Sequence, residues 1–188
     1  VTSPWKIQLL ENFSLMYIDA KMIEELSTLY GYLYFDPLSV AFHMAGRARY
    51  FDHIIHSSMA RTDKGSIISA YWPTTGVNEM NTLCASQNLH YGVVQYFFKH
   101  TVTRNRTESN THIFACVKWA RPHAQRHWFG QSATVCENEY EDSSFCNYIP
   151  LQRIVSVCAH AYLQLRFPEF TDNVLVAIPS IALFSTAQ

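Results

Sequence analysis

The chain has 188 residues, of which 48% are apolar and 15% charged, and its formal net charge is −1. That balance excludes a disordered tail and supplies enough apolar surface for one cored domain, or a small domain with an added subdomain. Near-neutral charge excludes a whole-surface nucleic-acid binder and leaves only local basic patches as candidates.

Aromatic residues make up 14% of the chain, a bias that favours sheet. Five cysteines, Cys84, Cys116, Cys136, Cys146 and Cys158, form an odd set without short paired spacings. Reduced, buried thiols of an intracellular protein are expected from that pattern, not a disulfide framework. No charged and apolar leader opens the chain, and no apolar run approaches a membrane span, so no membrane partner is expected. The start at Val1, without Met, is what a piece of a longer protein would show.

In chain order, residues 5–30 carry helical signals. Ile7, Leu10, Phe13 and Tyr17 recur at helical spacing, and Asp19 can cap a second segment containing Met22, Ile23, Leu26 and Leu29. Residues 1–30 therefore read as an N-terminal helical segment, and 31–188 as a β domain. Two strand-like runs flank Asp36-Pro37, a turn signal that predicts a hairpin over 30–44. The stretch 45–65 is irregular and carries Arg47, Arg49, Arg61 and Lys64. Residues 66–72, SIISAYW, read as a strand that Pro73 ends.

The second half alternates more regularly. Over 91–102, Val94, Tyr96 and Phe98 are expected on one face and Val93, Gln95, Phe97 and Lys99 on the other. Residues 103–110 read as a polar, hairpin-like loop. Over 111–120, Ile113, Ala115, Val117 and Trp119 share a face, and Arg121-Pro122 ends the strand because proline donates nothing to a ladder. Further strands are expected at 133–140, 148–165 and 173–179. Short strands with irregular connections predict a mainly β fold, a small barrel or sandwich.

Chemical motifs are sparse. His123 and His127 have a spacing that recurs in zinc sites, but no C-x2-C pair accompanies them. They read as solvated loop histidines, and no metal or other cofactor is expected. His53 and His56 lie beside Asp52, without any nucleophile motif, and no glycine-rich phosphate loop occurs. No motif places an acid, a base and a binding loop together, so a non-enzymatic role is expected. Arg47, Arg49, Arg61 and Lys64 are the candidate contacts to nucleic-acid phosphates. Aromatic side chains crowd the second half and could frame a cage for a methylated lysine.

The order of segments from Tyr91 onward resembles a BAH (bromo-adjacent homology) domain. Arg121-Pro122 after Trp119, Glu139-Tyr140, Ile149-Pro150, Ile154 and Cys158 follow one another as that family's short motifs do. The wider chain also resembles proteins of fungal mobile elements, in which a BAH-like segment sits beside transposon machinery. The resemblance implies a small BAH-like, SH3-like barrel after the N-terminal helical segment, in a nuclear protein. It also implies protein–protein contact in chromatin or mobile-element machinery, with a histone-tail peptide as one partner. Trp119, Tyr140, Tyr148 and Trp128 are the expected peptide-binding residues. The alternative is an accessory DNA-binding domain of a transposase-related protein.

Overall fold

The computed structural model describes residues 7–10, 14–30, 41–60, 65–71, 89–104, 108–141 and 147–182. Along the chain lie β1 (Ile7–Leu10), β2 (Ser14–Tyr17), α1 (Ala20–Tyr30), β3 (Ala41–Ala45), β4 (Arg47–Tyr50), β5 (His53–His56) and β6 (Ile67–Tyr71). There follow β7 (Leu89–Arg104), β8 (Glu108–Pro122), β9 (Thr134–Tyr140), β10 (Tyr148–Pro150), a 3-10 turn (Leu151–Arg153), β11 (Ile154–Arg166) and β12 (Thr171–Ala182). The fold is mainly β, with one helix among the described residues. The predicted Asp36-Pro37 turn lies outside them.

The β7–β8 hairpin organises everything else. Its two strands pair from Gly92–Trp119 out to Arg104–Glu108. Along its other edge, β7 pairs first with β6 (Ile67 with Val93) and then with β3 (Met44 with Phe98). The free edge of β8 likewise changes partner, from β9 near Ala120 to β10 near Ala115. At one end of the hairpin, β6, β7, β8, β9, β12 and β11 follow one another around a barrel-like ring. Its seam between β8 and β9 is held by only two registered pairs, so the ring is partial.

Three clusters use this hairpin as a wall. Ile67, Tyr91, Ala120, Cys136, Cys158, Leu175 and Ala177 come from all six ring strands and fill its interior. Further along the same face, Phe98 and Phe114 stack at 5.2 Å between ring centroids and receive Met22 and Leu26 of α1. On the opposite face, Val94, Phe97, Ala115, Val117 and Trp119 pack with Ala48, Tyr50 and Ile55 of the small β1–β4–β5 sheet. Full burial of each Val, Leu, Ile, Phe or Met among them is worth about 1.5–3 kcal/mol.

Local chemistry explains most of the elements. The Met22 N–H donates to Asp19 Oδ1 at 2.8 Å, so Asp19 is the N-cap its sequence position predicts. Met22 and Leu26 fall one helical turn apart and both reach the sheet. Residues 5–17, however, are not helical where they are described. Ile7–Leu10 pairs with β4 and Ser14–Tyr17 with β3, in strands too short to display a period of two.

Alternation in β8 is as predicted, with Ala115, Val117 and Trp119 in one cluster and Ile113 packed against it. In β7 the expected face breaks at Gln95. A bulge between Val94 and Tyr96 adds one residue, so Val94 shares its cluster with Phe97, while Tyr96 joins Phe98. The hairpin over 103–110 is also tighter than a loop of that length, since Thr103 pairs with Ser109 and Arg104 with Glu108. Pro122 ends β8 as expected.

Candidate functional site

A cleft of about 600 Å³ opens where the edge of β8 passes from β9 to β10. Gln95, Cys116, Lys118, Arg121, Glu139, Tyr140, Glu141 and Asn147 line it. The bulge of β7 places Gln95 there, with its amide donating to the Val93 carbonyl at 3.1 Å. On β9, three residues (137–139) lie between two pairs that enclose only Arg121 on β8. That irregularity carries Glu139 against Arg121, at 2.7 Å, and Glu141 approaches the same guanidinium at 3.8 Å. Lys118 sets its Nζ 4.5 Å from the centre of the Tyr140 ring, a cation–π contact within the chain.

Backbone bonds fix the rim. The Glu141 N–H donates to the Trp119 carbonyl at 2.8 Å, and the Val117 N–H donates to the Asn147 carbonyl at 2.7 Å. The Asn147 N–H in turn reaches Glu25 Oε2 of α1 at 3.2 Å, which ties the helix to the cleft. Partial burial pushes the Glu25 carboxyl upward. Deeper in, the Tyr96 and Tyr148 hydroxyls lie 3.5 Å apart. Burial pushes the Tyr148 phenol up to about 12 and raises Tyr96 as well, so both stay protonated and neither can act as a base at neutral pH. What the cleft offers is charge-assisted hydrogen bonding of both signs beside an aromatic wall.

The four residues expected to bind a peptide do not converge. Trp119 is 1% exposed and lies in the cluster under the small sheet. Its large apolar surface is used by the core, so it is not on the surface where the resemblance implied a binding role. Tyr148 packs edge-on against Phe98 at 5.4 Å, beneath α1. Trp128 is exposed, but it stands over Phe167 on the loop between β8 and β9. Tyr140 alone lines the cleft, with its ring beside Lys118. Of the expected nucleic-acid contacts, Arg47 and Arg49 share the outward face of β4. Arg61 and Lys64 lie outside the described residues.

The histidines of the 123–133 loop are not alike. His123 is buried, stacks on Phe167 at 5.0 Å, accepts the Gln125 N–H at Nδ1 and sets Nε2 3.5 Å from Asp172. It pins the loop across the outside of β12, contrary to the solvated reading. His127 is exposed and accepts a bond from Arg126 Nε at 3.0 Å. Among the described residues no three His, Cys, Asp or Glu converge as metal ligands. Cys136 and Cys158 are interior residues of the ring, their thiols pushed up to about 12 and about 11 by burial.

Sequence reading missed the cleft's polar lining, namely Lys118, Arg121 as an ion-pair partner, Glu141 and Asn147. The one local signal was Gln95, a polar residue within an otherwise apolar run. No protein-family model, curated protein or solved structure matches the chain.

Proposed function

We propose that the protein is a non-enzymatic interaction module that binds a peptide segment in the cleft between β8, β9 and β10. The observation that carries this is the cleft's lining, two cations and two carboxylates around Tyr140. Ligand pockets for small molecules are mostly apolar and enclosed, whereas this one is open, with polar and apolar surface in nearly equal parts, and suits an extended, charged chain. Glu139 is the outermost group of its ion pair, with its side chain 69% exposed against 34% for Arg121. A basic residue of a partner peptide can therefore compete for it without entering the core. The resemblance to BAH domains supports a histone-tail peptide as that partner, and a nuclear place in chromatin or mobile-element machinery.

Fluorescence polarisation with labelled histone-tail peptides tests the reading. Binding should weaken by about tenfold or more in a Glu139→Lys/Glu141→Lys variant, equivalent to about 1.4 kcal/mol. Absence of binding by the natural chain removes the tail as partner. Undiminished binding by the variant removes the cleft as the site.

A further inference from the structure

The charges that line the cleft are not all matched to one another. Glu139 and Glu141 both turn to the Arg121 guanidinium, at 2.7 and 3.8 Å. Lys118 lines the same opening, is exposed, and has no ion pair among the described residues. Its Nζ stands instead 4.5 Å from the centre of the Tyr140 ring. A ring face attracts an ammonium without neutralising it, so N–H donors remain for an anion.

The seat of this ammonium is built by three strands. Lys118 comes from β8 and Tyr140 from β9, and the Tyr162 hydroxyl of β11 lies 3.2 Å from that of Tyr140. Burial first, and the bond to Tyr162 second, raise the Tyr140 phenol above its usual range. The ring is therefore a neutral phenol at neutral pH, and the charge of Lys118 is left for a ligand.

Spacing follows from the strand. Lys118 and Arg121 are three residues apart on β8, about 10 Å at about 3.3 Å per residue. Register shifts between Ala120 and Pro122, and both side chains line the opening. Glu139 lies at the Arg121 end, 2.7 Å from its guanidinium. An extended peptide whose basic residue reaches Glu139 therefore meets Lys118 about three residues away.

We infer that Lys118 is a second contact of the cleft and receives an anionic side chain, so that the partner segment bears a basic and an anionic residue three positions apart. This rests on the peptide reading of the cleft. A lone basic residue engages Glu139 and leaves Lys118 unused, whereas the pair engages both ends. Exposed ion pairs contribute little singly, so Lys118 sets the preference among basic peptides and not the ability to bind.

The test is fluorescence polarisation with peptides carrying arginine and, three positions before or after it, glutamate, phosphoserine, glutamine or lysine. The natural chain should bind the glutamate or the phosphoserine peptide about fivefold tighter than the glutamine one, with the lysine peptide weakest. Whichever anion binds tighter identifies the group as carboxylate or phosphate. Lys118→Gln should erase the advantage, Lys118→Arg should keep it, and Lys118→Glu should transfer it to the lysine peptide. Each variant alters an exposed side chain, and an unchanged melting temperature shows that the fold is intact. An advantage that survives Lys118→Gln overturns this inference and leaves the peptide cleft standing. So does the lack of any advantage among peptides whose binding Glu139→Lys/Glu141→Lys weakens. Absence of binding by every peptide removes the peptide reading, and this inference with it.

Discussion

Single residues decide how closely the walls of this molecule approach. Gly92 faces Trp119 across the hairpin, and a β-carbon there would stand 2.5 Å from Val117 Cγ1 and 2.9 Å from the Lys118 carbonyl oxygen. The carbonyl belongs to a paired strand and cannot swing aside. Gly92→Ala should therefore destabilise the fold by about 1–3 kcal/mol, read as a lower midpoint in urea. An unchanged midpoint would mean that the two strands move apart at Gly92 at no cost. Trp119 illustrates the same economy of space: the residue that the sequence offers most prominently for binding is the largest of the fully buried side chains among the described residues.

At the scale of the element, the outer half of the β7–β8 hairpin carries His100 directly opposite His112. Burial, with His112 adding repulsion, lowers the His100 imidazole from 6.5 to about 4. As pH falls below 6.5 the unfolded chain takes up this proton first. The stability contributed by neutral His100 is thus complete above pH 6.5, lost progressively between 6.5 and 4, and absent below, with a total of at most about 3 kcal/mol. His100→Leu should flatten the acid limb, reducing the loss between about pH 7 and about pH 5 by roughly 2 kcal/mol in urea titrations. An equal acid limb in the variant would place the sensitivity elsewhere.

The same hairpin shows what the sequence could reveal. The face shared by Ala115, Val117 and Trp119 is legible because β8 keeps an unbroken period of two through them. Its partner misleads, since a one-residue bulge at Gln95 exchanges faces without any glycine or proline to announce it. Nor could β1 and β2 be read as strands, each having four residues and a partner supplied from a distant part of the chain. The cleft was illegible for a related reason. Arg121 and Glu139 are brought together by an irregular β8–β9 register, which depends on tertiary pairing and leaves no local pattern.

At the scale of the whole molecule, one hairpin serves as a wall for three clusters, so none of them can be lost without disturbing the others. Unfolding should follow one transition, with far-ultraviolet and near-ultraviolet circular dichroism curves superimposing in urea. Two separated transitions would show instead that the α1 end and the ring are independent units. Ring closure joins strands far apart in sequence, β6 with β11, which places refolding in the millisecond-to-second range.

The ladder ends differently at its two extremities. Around the ring, strands find partners on both sides, while the outer end stops, among the described strands, at β2. Leu15 and Tyr17 stand exposed on that strand, at 55% and 70%. Intermolecular growth of the sheet at high concentration would begin at this border, where only four residues are available to template an incoming chain. The brevity of β2 is thus a safeguard against such growth, at the border of the described sheet.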